Sequence, residues 1–212
     1  MTLVLITISV LFSILLLLIA EYSRLRQLRY FFKPLTLLLI FAIVWLAPHP
    51  VSAHYRQFIL IGLGFSLFGD AFLLFPNRWF LPGLFSFLIT HICYITAFTE
   101  DLSGDVSLLL IVILSTSAIL FTGATWKHLG PVRVPVIVYA VILLVMVGSS
   151  AERYIQVSSP GALSGLLGAI LFLISDGMLA VNRFIKPFRA AQAVILSTYF
   201  IAQWLIALSV RG

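Results

Sequence analysis

Runs of about twenty apolar residues recur along the whole chain, and no other feature constrains the fold so strongly. A run of that length spans hydrocarbon as a helix, because a helix satisfies its own backbone N–H and C=O groups where no water can. With 62% hydrophobic and 9% charged residues, an ordinary soluble domain is excluded. The expectation is an all-α polytopic membrane bundle. The segment Thr2 to Ala20 has no basic stretch before it and no small-residue cleavage site after it, so it reads as a retained span and not as a removable leader.

Turn residues and charges divide the chain into eight expected helices, near 2–20, 34–47, 57–75, 82–99, 106–124, 134–150, 162–182 and 188–209. The second is short for a bilayer. It suffices if Tyr30 to Phe32 lie in the interface and Lys33 snorkels. All loops are short, which leaves a single membrane domain over 1–212 and requires any active site to be built from the helices.

A net charge of +6 at first suggests nucleic acid, but the basic residues stand between the spans, where they orient the chain in the bilayer. Arg24, Arg26, Arg29, Lys33, Arg78, Lys127, Arg133, Arg183, Lys186 and Arg189 fall on one side of the membrane. Arg56, Arg153 and Arg211 fall on the other, together with the acidic loop of Glu100, Asp101 and Asp105. The positive-inside rule then puts both termini outside the cytoplasm, and it puts Asp70 and Asp176 in the cytoplasm-proximal halves of the third and seventh spans. Cys93 lies alone in an apolar run with no partner for a disulfide or a thiolate metal site.

The halves of the chain echo each other. Asn77-Arg78-Trp79-Phe80-Leu81-Pro82 matches Asn182-Arg183-Phe184-Ile185-Lys186-Pro187 as N-R-aromatic-x-x-P, and Gly69-Asp70-Ala71 matches Ser175-Asp176-Gly177. Tyr94 corresponds to Tyr199, and Lys33-Pro34 corresponds loosely to Arg133-Val134-Pro135. The echo predicts two parallel four-helix repeats, about 1–105 and 106–212, with the two aspartates at equal depth across a central cleft. His91 breaks the symmetry, since its counterpart is Leu196.

An ionised carboxylate at the bilayer centre costs about 2.5–3.5 kcal/mol on insertion scales. Two at repeat-related positions therefore call for a reason. They either fasten the halves, by pairing with Lys33 or an arginine, or do chemistry as a general acid and its ionised neighbour. Polar partners are at hand: Ser66 one turn before Asp70, Asn182 beyond Asp176, and the same-face pairs His91/Tyr94 and Tyr199/Gln203. Glu21 and Glu152 read as ordinary charges at span ends, and Gly161-x-x-x-Gly165 with Ser164-x-x-x-Gly168 as a helix contact face. Gly69 is expected to admit a neighbouring backbone beside Asp70. His49, His54 and His128 lack ligand spacing to His91, so no metal is expected.

Lys33-Pro34-Leu35-Thr36, Gly69-Asp70, His91-x-x-Tyr94, Ser175-Asp176 and Tyr199-x-x-x-Gln203, in that order over nearly the whole chain, resemble the signature of the YhhN-like lysoplasmalogenase family. The resemblance implies hydrolysis of the vinyl ether bond of lysoplasmalogens to a fatty aldehyde and glycerophosphoethanolamine or glycerophosphocholine. It needs no cofactor. Asp70 and Asp176 would be the catalytic pair; Lys33, Thr36, Ser66, His91, Tyr94, Asn182, Tyr199 and Gln203 would bind substrate or water, Lys33 by holding the headgroup phosphate. The partners implied are a lysophospholipid and membrane lipids, in a bacterial inner (cell) membrane, with no nucleic acid. The competing reading is a proton-coupled carrier of a small lipid or metabolite, in which the aspartates are proton sites.

Overall fold

The apolar runs form helices, as hydrocarbon demands. The structure, a computed structural model, describes residues 2–23, 25–75, 77–104 and 107–211. Arg24 and Asp105, which enter the charge reading above, lie outside the described residues. The eight helices are α1 (Thr2–Tyr22), α2 (Arg26–Trp45), α3 (Ala53–Leu73), α4 (Phe80–Thr99), α5 (Leu108–Thr125), α6 (Arg133–Val157), α7 (Pro160–Ala180) and α8 (Ala191–Leu208). All eight are long and apolar enough to cross a membrane, and no strand occurs among the described residues.

The helix ends follow local chemistry. Ser52 and Ser159 cap α3 and α7, their hydroxyls accepting from the Tyr55 and Ala162 amides at 2.8 and 3.1 Å. Pro160, at the start of α7, lacks the amide hydrogen that a first turn leaves unused. Ser158 ends α6 in the left-handed region, with φ 49°.

Two helices are longer than the punctuation suggests. α2 begins at Arg26, not Pro34, so the proline lies inside the helix and only one backbone bond is missing there. Extra turns at this end carry Arg26 and Arg29 toward the interface and set Lys33 within the bundle, where it is buried. α6 runs on to Val157, which places Glu152 and Arg153 in the helix, both buried. Glu152 is thus no simple flanking charge: it accepts from the Ser107 amide at 3.0 Å and from Gln156 at 3.0 Å.

Lipid tails are as apolar as leucine, so close packing and polar contacts, not expulsion from water, hold such helices together. α3 packs on α4, α7 on α8, α1 on α2 and α5 on α6; between the halves, α4 meets α6 and α8 meets α2. The expected small-residue face of α7 does meet a helix: a side chain at Gly168 would strike Ala202 O and Ile206 of α8, and Ser164 donates to Leu205 O at 2.7 Å. Gly69 instead makes room for a ring. A Cβ there would lie 2.6 Å from Phe87 of α4, so a side chain and not a backbone approaches Asp70. α5 buries only Thr125 and leaves its leucines and isoleucines to the hydrocarbon.

Candidate active site

Asp70 sits near the end of α3 and Asp176 near the end of α7, and both line one cavity of about 460 Å³. Its wall is largely apolar, with Leu84, Phe121, Leu144 and Leu173 among the lining residues. Beside the two acids its polar lining is Lys33, Ser117, Tyr139, Ser175, Asn182, Arg183, Gln192 and Tyr199.

Asp70 is the more enclosed, its side chain only 5% exposed. Lys33 Nζ approaches Oδ1 at 3.0 Å, and the Tyr199 hydroxyl donates to Oδ2 at 3.0 Å. Both oxygens are engaged. Behind them runs an ordered relay: Tyr94 donates to Gln203 Oε1 at 2.7 Å, and Gln203 Nε2 donates to the Tyr199 hydroxyl at 3.3 Å and to Ser66 Oγ at 2.8 Å. Thr90 adjoins Ser66 at 3.2 Å and donates to Gly62 O at 3.0 Å. Gln203 thereby uses both N–H donors and its oxygen, which fixes its amide plane. Tyr199 is in turn aimed at Asp70.

Asp176 is held differently and is 15% exposed. The Tyr139 hydroxyl of α6 donates to Oδ2 in a short hydrogen bond. His91 Nε2 lies 2.9 Å from that hydroxyl and 3.8 Å from Oδ2. Because Tyr139 spends its proton on Asp176, Nε2 must carry the hydrogen of the His91–Tyr139 bond. Nδ1 of His91 has no hydrogen-bond partner among the described residues. Asp176 Oδ1 likewise meets no donor among the described residues. Phe87 and Tyr199 of the cavity lining pack edge to face with each other and with Phe172, centroids 5.5 to 6.2 Å apart.

Among the residues expected to bind substrate or water, Lys33, Asn182 and Tyr199 line the cavity. Ser66, His91, Tyr94 and Gln203 lie behind its wall, each fully buried, and act through the residues that do line it. Thr36 is farther off, donating to Phe32 O at 2.7 Å and bonding Ser13 of α1 at 2.7 Å. Lys33 is Asp70's partner, as the fastening reading anticipates.

Sequence reasoning missed Tyr139, Thr90 and Gln192. A signal for Tyr139 existed: it stands thirty-seven residues before Asp176, the same interval that separates Lys33 from Asp70. A lysine and a tyrosine share no side-chain chemistry, so residue matching does not pair them.

An eight-helix membrane domain with two carboxylates on one largely apolar cavity is the class of protein that fold and site define. The profile of the YhhN family matches residues 28–210, and the chain belongs to that family. It is 30% identical over 190 residues to the Escherichia coli O6:H1 protein named uncharacterized membrane protein YhhN, covering 90% of each chain. It is 36% identical over 182 residues to the bovine lysoplasmalogenase TMEM86A, covering 81% of this chain and 71% of the relative. The human lysoplasmalogenase TMEM86B is 36% identical over 159 residues, covering 74% and 65%. No solved structure matches.

Proposed function

We propose that this chain hydrolyses the vinyl ether of lysoplasmalogens, releasing a fatty aldehyde and a glycerophospho-alcohol. Relatives named lysoplasmalogenase support the reaction class, and one observation carries it to this site: both aspartates line a single apolar cavity. Vinyl ether hydrolysis begins with proton transfer to the alkenyl carbon remote from oxygen, giving an oxocarbenium ion. Water adds to the carbon bearing oxygen, and the hemiacetal collapses to aldehyde and alcohol. The proton that water surrenders replaces the one first delivered.

Asp176 is the proton donor in this reading. Asp176 lines the cavity and no donor among the described residues meets its Oδ1, whereas both oxygens of Asp70 already hold donors. As the proton leaves Oδ1, the bond from Tyr139 to Oδ2 strengthens with the developing charge. Asp70 keeps a lone pair on each oxygen beyond those used by Lys33 and Tyr199, and it orients the capturing water and takes its proton. Lys33 balances Asp70, and Ser66, Tyr94 and Gln203 hold Tyr199 in place. The alkenyl chain lies along Leu84, Leu144 and Leu173. The basic end faces the cytoplasm of a bacterial host, with both termini on the other side of the inner membrane.

The test is mass spectrometry of aldehyde released from lysoplasmenylethanolamine by the purified protein and by Asp70→Asn and Asp176→Asn. Activity should disappear in both variants. Full activity in both, or uptake driven by a pH gradient without cleavage, overturns the reading.

A further inference from the structure

A lysophospholipid joins one long chain to a glycerophospho headgroup, which makes it larger than a drug-sized ligand. Ligands of drug size already occupy pockets of about 300–1,000 Å³. The cavity of the two acids, at about 460 Å³, lies near the lower end of that range. It has room for the reacting end of such a lipid, and part of the chain must be housed elsewhere.

A second space, of about 330 Å³, lies between α4 and α6, where the two halves of the bundle meet. Leu81, Phe85 and Leu88 of α4 face Val134 and Val138 of α6 across it, and no residue of its lining is charged. Leu81 and Phe85 are four apart, as are Val134 and Val138, so each helix gives the groove one face. The groove is open to the surrounding hydrocarbon, since Phe85 and Val134 are 63% and 68% exposed. Leu84 and Tyr139 line both this groove and the cavity of the acids. Tyr139 is also the hydrogen-bond donor to Asp176. The groove thus leads from the lipid-facing surface to the side chain that holds the acid.

We infer that the α4–α6 groove holds the hydrocarbon tail of a single-chain lysophospholipid, which enters the site sideways from the bilayer. The inference rests on the lysophospholipid reading above and names the residues that seat its chain. Lipid tails are as apolar as leucine, so the tail moves from bilayer to groove without meeting water and with little gain in free energy. What the groove supplies is register: the tail lies between α4 and α6, its near end passes Leu84, and the vinyl ether comes to rest beside Asp176.

Binding tests this apart from catalysis. Wild type, Val138→Trp and Val138→Ala in nanodiscs are irradiated with a saturated 1-alkyl-glycerophosphoethanolamine that carries a diazirine at the end of its chain and has no vinyl ether to cleave. Labelled peptides are mapped by mass spectrometry, with and without excess unlabelled 1-alkyl lipid. In wild type, the label that the competitor removes should fall within residues 81–88 and 134–138. Val138 is lipid-facing and does not line the cavity of the acids. Val138→Trp, which fills the groove, should lower this label about tenfold, the scale of a misfit in an apolar pocket, and Val138→Ala should keep it. Label here that the competitor leaves in place marks an ordinary bilayer lipid and overturns the inference, as does competitor-sensitive label confined to other helices. The wild-type pattern decides the matter even where Val138→Trp folds poorly. Competitor-sensitive label in the groove without aldehyde release from lysoplasmenylethanolamine leaves the tail site standing and removes the lysoplasmalogenase reading; aldehyde release with the label elsewhere does the reverse.

Discussion

Asp70 and Asp176 are held by the same plan with different chemistry. Each takes one partner from thirty-seven residues upstream in its own half, Lys33 or Tyr139, and one from the last helix of the other half, Tyr199 or His91. At Asp70 the upstream partner is a cation and both oxygens are filled. At Asp176 it is a phenol, and one oxygen meets no donor among the described residues. The proposed reaction uses this difference: Asp176 gives a proton to the alkenyl carbon, and Asp70 takes one from the capturing water. This is how two carboxylates in a shared pocket come to hold separate roles.

The comparison breaks most sharply at Asp176. Asp176→Asn should lower kcat for aldehyde release by about 10²–10⁴-fold, the range of a general acid, while leaving binding of a saturated ether analogue within twofold by calorimetry. The Lys33 side rests on a buried pair, and removing one member of such a pair costs about 3–5 kcal/mol. Lys33→Met should therefore lower the melting temperature in detergent far more than Lys33→Met combined with Asp70→Asn, and equal losses would show that the pair is not coupled. On the Asp176 side, Tyr139→Phe removes one hydrogen bond to a charged group, worth about 1.5–3 kcal/mol. Its kcat should fall about tenfold or more, with KM little changed, because the phenol acts on the acid and not on the lipid. The smallest effect belongs to His91, which reaches Asp176 through Tyr139: His91→Gln should cost severalfold in kcat, and adding it to Tyr139→Phe should cost almost nothing further in single-turnover assays.

The opposite end of the bundle serves as a control. Arg153 is buried there, paired with Asp101 at 3.2 Å and seated over Tyr55 at 4.6 Å, while Tyr55 bonds Ser209 at 2.8 Å. These groups are as polar as the candidate site and tie α3 and α6 to the turn after α8 and the loop after α4, yet none of them lines the cavity. Buried charge alone is therefore not the mark of the site in this protein. What distinguishes Asp70 and Asp176 is the shared space in front of them.

Much of this was legible in the sequence. Apolar runs of bilayer length determine eight helices, since hydrocarbon offers the backbone no other partner, and a lone acid in an oily run announces itself by its cost. Gly69-Asp70 and Ser175-Asp176 singled out two acids that line one cavity, and the order of Lys33, Asp70, His91, Asp176 and Tyr199 pointed to the family. Helix ends such as Arg26 and Val157 were less legible, because interfacial lysines, arginines and glutamates stay helical when tertiary partners satisfy them.

Only the tertiary structure decided the rest. That Tyr139 and not an arginine meets Asp176, that Lys33 meets Asp70, and that Arg183 stacks over Phe80 depend on which helix faces meet in the bundle. Sequence periodicity specifies which residues share a face of one helix. It carries no record of the helix opposite, so the partner of each buried charge appears only when the bundle closes.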